Sequence, residues 1–151
     1  MRVLLQRVRE ARVVVGDCVV GAIGEGLLAL VGIGVDDTPE DADRMALKVV
    51  GLRVFDDPGG RLNQDVRAAG GGILSVSQFT LYANAAKGRR PSFAGAAPSG
   101  QAEPLWQRFN TGLRAAGVEV ATGVFGAEML VHLVNWGPVT LLLESGRKGG
   151  R

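Results

Sequence analysis

Residues 3–33 have the sequence VLLQRVREARVVVGDCVVGAIGEGLLALVGI, in which valine- and leucine-rich runs alternate with short polar or glycine breaks. Short apolar runs bounded by turn-forming residues are typical of β-strands. The spacing therefore predicts a β-meander in the N-terminal third of the chain. Its four strands are predicted at Val3–Val8, Arg12–Val15, Val19–Ile23 and Leu27–Ile33.

A helix is predicted directly after these strands. Thr38 can cap it, Pro39 suits its first position, and the acids Glu40 and Asp41 suit its first turn. Apolar residues then recur on one helical face, which predicts a helix from Pro39 to about Val50. The residues of that face are Ala42, Met45, Ala46, Val49 and Val50.

A long loop and a second helix are predicted in the C-terminal half. The segment from Ala83 to Gly100 is too rich in glycine, alanine and proline to be regular, and long loops often carry function. Helical spacing then predicts a helix before Gly117, although Pro104 leaves its start open. The residues with this spacing are Leu105, Phe109, Leu113 and Ala116.

Three further strands complete the predicted fold. Ile73–Leu81 has the pattern of a buried strand, and Met129–Val134 and Val139–Glu144 flank a turn at Gly137-Pro138. Strands outnumber helices, and the chain has neither βαβ alternation nor an internal repeat. We therefore predict an α+β fold with a mostly antiparallel or mixed sheet flanked by two main helices.

Composition indicates one domain. A chain of 151 residues that is 46% hydrophobic can bury a core, and we expect a single domain over residues 1–145. The tail from Gly146 to Arg151 has basic residues and no apolar anchor, so we expect it to be disordered, with a possible weak role in phosphate binding. Lysine and arginine number 17 against 15 acids, a balance too even to indicate nucleic-acid binding by itself.

Cysteine content and hydropathy give an expectation for the cellular location of the protein. Cys18 is the single cysteine, which excludes an intramolecular disulfide. Charges interrupt the N-terminal apolar stretch, and the most apolar segment is far shorter than the roughly 20 residues of a membrane helix. We therefore expect a cytosolic protein.

Polar residues cluster in Ser77-Gln78-Phe79-Thr80, inside the apolar run ILSVSQFTLYA. Hydroxyls, backbone amides and a carboxamide at a strand end could converge on an ester carbonyl and stabilise its developing charge. A hydroxyl nucleophile needs a base, however, and nothing marks the single histidine, His132, as its partner. The chain also lacks a G-x-S-x-G elbow. Taken by itself, the same cluster is more typical of a strand edge with polar alternation.

A second cluster lies in VHLVNWGPVTLLLE, where Gly137-Pro138 separates two apolar runs. Glycine allows unusual backbone directions, and a bond before proline tolerates the cis form. Such a dipeptide can contact a ligand through main-chain atoms alone. Taken by itself, it is also typical of a plain tight turn.

The order of these motifs along the chain resembles the D-aminoacyl-tRNA deacylase family. The likeness runs over almost the whole length, with one departure: Trp136 stands where the family usually has an acid. The matching blocks are Gln6-Arg7-Val8, Arg53-Val54-Phe55-Asp56-Asp57, Leu62-Asn63, Ser77-Gln78-Phe79-Thr80-Leu81, Gly88-Arg89-Arg90-Pro91-Ser92-Phe93, Phe125-Gly126-Ala127-Glu128-Met129 and Asn135 to Thr140.

The resemblance implies an enzyme that hydrolyses the ester between a D-amino acid, or mischarged glycine, and the terminal adenosine of tRNA, without metal or cofactor. It also implies a barrel- or roll-like sheet, a catalytic segment Ser77, Gln78, Phe79 and Thr80, and pocket residues Phe125 and Met129. The resemblance further implies that the protein is a homodimer. Gly137-Pro138, with a cis peptide and braced by Arg7, reaches the partner's active site and rejects L-amino acids.

Two mechanisms and two other functions stay open. Thr80 could attack as nucleophile, or water could attack while backbone groups near Phe79 and Thr80 position the ester and the neighbouring ribose hydroxyl assists. The lack of an evident base favours water. Lys87, Arg89 and Arg90 could bind tRNA phosphates or form a solvated loop. The alternatives to the deacylase are an RNA-binding module without chemistry and a small-molecule esterase.

Overall fold

The computed structural model describes residues 1–146, so the predicted disorder of the tail falls, apart from Gly146, outside the described residues. The chain forms eight strands, two α-helices and one 3-10 helix over this range. In chain order they are β1 Arg2–Val15, β2 Cys18–Ile23, β3 Gly26–Gly32, α1 Pro39–Gly51, β4 Phe55–Asp56, β5 Leu62–Gln64, β6 Gly72–Ser77, the 3-10 helix Phe79–Tyr82, α2 Ser99–Ala115, β7 Val120–Thr122 and β8 Leu130–Glu144.

Strand β1 is the hub of the sheet. Its N-terminal half pairs with β3 and its C-terminal half with β2, while β8 pairs with both halves. The separate strands predicted at Val3–Val8 and Arg12–Val15 are therefore one, because exposed Arg9 and Glu10 interrupt the apolar pattern but not the backbone pairing. The predicted meander is also wrong, since β3 pairs with β1 rather than with β2.

The sheet is mixed and almost closed. Its order is β2-β1-β3-β6-β7, with β8 added on β1, and only the β3–β6 and β6–β7 pairs are parallel. The two ends approach each other closely: a Cβ added to Gly21 of β2 would lie 2.4 Å from the carbonyl oxygen of Thr122 in β7. The predicted α+β class with a mixed, barrel-like sheet and two main helices is confirmed.

Two apolar clusters stabilise this arrangement. The larger lies between the helices and one face of the sheet, where Trp106, Phe109 and Leu113 of α2 are almost fully buried. The smaller fills the other face, with Val8, Val13, Leu28 and Leu74 fully buried. No helix within residues 1–146 combines the length and apolar character needed to cross a membrane.

Local sequence explains how the two helices begin. Thr38 and Asp41 form the capping box of α1: the Thr38 hydroxyl accepts from the Asp41 amide, and the Asp41 carboxylate accepts from the Thr38 amide. Helix α2 begins at Ser99, so the predicted loop is two residues too long. Pro104 is accommodated near the start of α2, where it removes one backbone hydrogen bond and the buried apolar face outweighs the loss.

Strand β6 ends at Ser77, four residues before the predicted end at Leu81. The cause is its neighbour: Ser77 pairs with Val31, and β3 stops one residue later. The Gln78 amide still donates to the Val31 carbonyl at 2.7 Å, and the chain then turns into the 3-10 helix. Because strand pairing ends there, the polar cluster lies at a sheet edge and not inside a strand.

Strand β8 runs without interruption from Leu130 to Glu144, so the two predicted strands with a turn between them are one element. Gln6 of β1 pairs with Thr140, and Val8 pairs with Asn135. Arg7 alone therefore stands opposite the residues in between. We call residues 136–138 the Gly-Pro bulge. The strand persists because β1 remains paired with β8 on both sides of it.

Candidate active site

A cavity of about 490 Å³ opens at the edge of the sheet where β6 ends. It brings together six of the residues predicted for the site, which come from the end of β6, the 3-10 helix and the segment before β8. They are Ser77, Gln78, Phe79, Thr80, Phe125 and Met129. We call this space the active-site cavity.

The polar groups of the active-site cavity are hydrogen-bond donors with few partners. Gln78 Nε2 donates to Thr80 Oγ1 at 3.0 Å, which leaves the Thr80 hydroxyl proton available to a ligand. The first amides of a helical turn have no acceptor inside that turn. Those of Phe79 and Thr80 have no backbone acceptor elsewhere in the described chain. The cavity-lining residues Phe79 and Thr80 thus hold two amides and one hydroxyl proton that have no acceptor in the described chain.

No ionisable side chain lines the active-site cavity among residues 1–146. His132 lies elsewhere, on β8, with Nδ1 3.5 Å from Arg12 Nη2. Burial, together with the Asp37 carboxylate, raises the pKa of Tyr82 at the end of the 3-10 helix, so that phenol stays protonated. Neither Ser77 nor Thr80 thus has a general base from this part of the chain. The same range also holds no group of three or more His, Cys, Asp or Glu arranged to bind a metal ion.

The loop between the 3-10 helix and α2 forms one wall of the cavity and carries the basic residues. Asn84 and Ser92 exchange two backbone hydrogen bonds of 2.8 Å, which close off residues 85–91. Lys87, Arg89 and Arg90 are exposed on this excursion, outside the cavity, and form no ion pair with another described residue.

Sequence reasoning gave no role to Phe93, the first aromatic residue after this excursion. Its ring packs edge-on against Phe79 with the centroids 5.1 Å apart, and both line the cavity. The neighbouring Ala96 and Ala97 were missed as well. An aromatic residue directly after a basic segment was the available sequence signal for Phe93, whereas the alanines offered none.

The Gly-Pro bulge is absent from the wall of the active-site cavity. Gly137 and Pro138 are both exposed, and the peptide bond between them is cis. Gly137 has φ +135°, in the region that favours glycine. A Cβ added there would lie 2.7 Å from Val139 Cγ2 and 3.1 Å from Arg7 Nη2. The position therefore requires glycine.

Arg7 supports the bulge from inside the sheet. It is only 5% exposed. Its Nε donates to the Trp136 carbonyl at 2.9 Å, and its Nη1 donates to the Val54 carbonyl at 3.0 Å. Asp56 Oδ1 lies 3.7 Å from Nη1 and balances the charge. A buried guanidinium with these partners fixes the backbone just before Gly137.

Asn135 closes the base of the bulge. Its Oδ1 accepts from the Val139 amide at 2.9 Å, and its Nδ2 donates to Thr140 Oγ1 at 3.0 Å. The side chain thereby replaces the strand hydrogen bonds that the extra residues interrupt. Side chains thus hold the backbone just before Gly137 and just after Pro138, in contrast to the free donors of the active-site cavity.

Comparison with known proteins agrees with this arrangement. Residues 4–144 match the sequence profile of the family described as D-Tyr-tRNA(Tyr) deacylase. A Thermus aquaticus protein named D-aminoacyl-tRNA deacylase is 52% identical over 150 residues, which cover 99% of each chain. A protein of the same name from Geobacter metallireducens is 53% identical over 150 residues, with the same coverage.

A solved structure gives the same fold. The protein titled c-Myc DNA Unwinding Element Binding Protein superposes with a TM-score of 0.92 at 41% identity, covering 97% of this chain and 99% of that one. Since the profile spans nearly all of the described chain and the relatives match end to end, the chain belongs to the D-Tyr-tRNA(Tyr) deacylase family.

Proposed function

We propose that this protein is a D-aminoacyl-tRNA deacylase that hydrolyses the ester between a D-amino acid, or wrongly attached glycine, and the terminal adenosine of tRNA. The observation that carries the proposal is the active-site cavity, which offers hydrogen-bond donors at Phe79 and Thr80 but no ionisable side chain. Such a site suits a substrate that brings its own reactive group. An aminoacyl ester with a neighbouring ribose hydroxyl is a substrate of that kind.

In this mechanism the protein positions the ester and stabilises charge. The carbonyl oxygen lies against the amides of Phe79 and Thr80, whose donors become more effective as negative charge develops in the transition state. Water attacks the carbonyl carbon, with the neighbouring ribose hydroxyl assisting. The ester C–O bond then breaks, the ribose oxygen leaves with a proton that came from the water, and the free amino acid is released. The Thr80 hydroxyl, held by Gln78, orients the ester and does not attack it, because no base of the described chain could take its proton. Positioning alone can lower a barrier substantially.

Selection against L-amino acids comes from a second subunit in a homodimer. The exposed Gly-Pro bulge stands outside its own active-site cavity, and the outer edge of β8 has no strand partner among residues 1–146. Leu133, Val134 and Leu142 of β8 are exposed apolar residues that a partner would cover. The bulge then enters the partner's cavity, where its main chain excludes a Cβ on one side whatever side chain follows.

A heterodimer tests this sharing of sites. Ala127→Trp fills the cavity of its own subunit and leaves the bulge intact, whereas Gly137→Ala changes only the bulge. We expect Gly137→Ala homodimers to hydrolyse L-esters, and a purified heterodimer of the two variants to spare them while it still hydrolyses D-esters. A heterodimer that retains the L-ester activity of the Gly137→Ala subunit would place bulge and cavity in one subunit and reject the sharing.

The remaining parts of the proposal concern location and tRNA. Residues 1–145 form one catalytic domain, which acts in the cytosol where aminoacyl-tRNA occurs. Lys87, Arg89 and Arg90, exposed beside the cavity, bind phosphates near the acceptor end.

The first experiment compares deacylation of D-tyrosyl-, L-tyrosyl- and glycyl-tRNA by the purified protein in the presence of EDTA. We expect rapid loss of the D and glycyl esters and survival of the L ester. Retention of all three esters, with tRNA bound, would favour an RNA-binding module. Equal hydrolysis of free D-amino-acid esters and tRNA-linked ones would favour a small-molecule esterase.

A further inference from the structure

Trp136, the first residue of the Gly-Pro bulge, lies under two arginines. The Cζ atom of Arg9 is 3.7 Å from the centre of its ring, and that of Arg7 is 4.3 Å away. The ring of Phe55 meets the indole edge-on, with the centroids 6.4 Å apart. Trp136 itself is half-buried and packs against the larger apolar cluster. One aromatic ring thus joins the bulge to the core and to two cations.

The two arginines are held in different ways. Arg7 is buried and donates to two carbonyls, so its position is fixed without the ring. Arg9 is half-exposed, and its Nη1 lies 2.5 Å from Glu25 Oε1 in the turn between β2 and β3. The indole therefore connects the bulge, through Arg9 and Glu25, to a turn on the other side of β1.

Main-chain contacts alone leave the bulge some freedom. Arg7 holds the Trp136 carbonyl and Asn135 holds Val139, but no side chain of residues 1–146 forms a hydrogen bond with Gly137 or Pro138. A backbone edge that separates enantiomers must keep its place closely, because a displacement of about 1 Å can cost about a hundredfold in rate. Within the bulge, the side chain of Trp136 is the one that can resist such a displacement through contacts with the rest of the protein.

We propose that Trp136 and Arg9 are positioning residues, which hold Gly137-Pro138 through a cation–π contact and thereby set the discrimination between D- and L-esters. This inference rests on the proposed deacylase function. The attraction arises between the guanidinium charge and the electron-rich face of the indole. Since the ring also buries apolar surface, the contact depends less on ionic strength than an exposed ion pair does.

The test measures the ratio of D- to L-tyrosyl-tRNA deacylation rates in single turnovers with excess enzyme. Both substrates carry the same tRNA, so changes in phosphate binding cancel in the ratio. Trp136→Leu keeps apolar contact without the aromatic face, whereas Trp136→Phe keeps a smaller face. We expect Trp136→Leu and Arg9→Ala to lower the ratio by about tenfold, the size of a partly desolvated cation–π contact. Trp136→Phe and Arg9→Lys should retain most of it.

The salt dependence of the D/L rate ratio distinguishes a cation–π contact from an ion pair. Trp136→Asp puts a carboxylate beside the same two arginines, and exposed charges are strongly screened when the Debye length falls to about 3 Å at 1 M salt. We expect its ratio to fall as salt rises, while that of the unmodified protein stays constant. Arg12→Ala is the matched control, because Arg12 is an exposed arginine of β1 that contacts His132 and not Trp136. Melting temperatures verify that each variant is folded.

The outcomes distinguish the two proposals. A discriminating parent protein whose ratio is unchanged by Trp136→Leu and Arg9→Ala would overturn the positioning role and leave the deacylase function intact. Equal losses in Arg12→Ala, or in Trp136→Phe, would also overturn it. A parent protein that hydrolyses neither ester, or both equally, would overturn the deacylase proposal and this inference together.

Discussion

The active-site cavity and the Gly-Pro bulge are built on opposite plans. In the cavity, the amides of Phe79 and Thr80 and one hydroxyl have unused hydrogen-bonding capacity, and most of the other lining residues are apolar. At the bulge, Arg7 engages the Trp136 carbonyl and Asn135 engages the Val139 amide. The cavity thus keeps donors that a ligand could use, whereas side chains hold the backbone on both sides of Gly137-Pro138.

The largest effect is expected where the bulge is fixed, at Arg7. Arg7→Ala leaves the Trp136 and Val54 carbonyls without their donor in a buried setting. Losing such a buried group costs about 2–4 kcal/mol of unfolding free energy, and we expect D/L discrimination to collapse with it. Urea unfolding and the two deacylation rates measure both quantities. Arg7→Lys, which keeps the charge but not the planar fork, should recover only part of each. A loss below about 0.5 kcal/mol would show that the brace is dispensable.

Gly137→Ala breaks the bulge and leaves the scaffold intact. Its φ of +135° and the 2.7 Å approach to Val139 Cγ2 force the main chain to shift. We expect L-tyrosyl-tRNA hydrolysis to rise by at least about tenfold, as binding discrimination worth over 1.4 kcal/mol is lost. Gly51→Ala at the end of α1 is the control, because a Cβ there meets nothing within 4 Å. Unchanged L-ester stability in Gly137→Ala would remove the main chain from stereoselection.

Charge reversal tests whether the basic residues beside the cavity bind tRNA. Arg89→Glu with Arg90→Glu should raise KM for aminoacyl-tRNA about tenfold at low salt and flatten the salt dependence, because fewer counterions are released. Discrimination should stay constant, since the bulge is untouched. Lys48→Glu with Arg114→Glu makes the same change of net charge on exposed helical positions and serves as control. Equal effects in both double variants would assign the loss to the overall charge of the protein.

The smallest effect is expected inside the cavity. Thr80→Ala removes one donor and leaves the two amides, so kcat/KM for D-tyrosyl-tRNA should fall by less than about tenfold, near the value of one hydrogen bond. Steady-state kinetics, together with a measurement of tRNA binding, tests this expectation. A loss of about a thousandfold, with folding and binding intact, would instead identify Thr80 as the nucleophile.

The sequence predicted elements that depend on local signals. Helix α1 carries its own cap at Thr38 and Asp41, and its start and end agree with the prediction. The ends of other elements depend on partners far away in the chain. Strand β6 stops because β3 stops beside it, and β8 continues through Gly137-Pro138 because β1 runs along its whole length. Apolar periodicity contains no information of that kind.

The site residues likewise fall into those that the sequence predicts and those that only the fold brings together. The polar cluster at Ser77 to Thr80 is visible in the sequence, and the family resemblance added Phe125 and Met129, which line the same cavity. The contact of Trp136 with Arg9 depends on the register of β8 against β1, and the alanines of the cavity wall act through backbone shape. Neither feature has a compositional signature.

The absence of ionisable groups along the active-site cavity of the described chain also governs how this protein responds to covalent reagents. Fluorophosphonates label serine hydrolases because a neighbouring base activates the hydroxyl. The hydroxyls of Ser77 and Thr80 have the ordinary reactivity of an alcohol, so these reagents should leave the protein unmodified. Activity-based profiling would therefore overlook an enzyme of this design, and chemical inhibition would require shape complementarity rather than an electrophile.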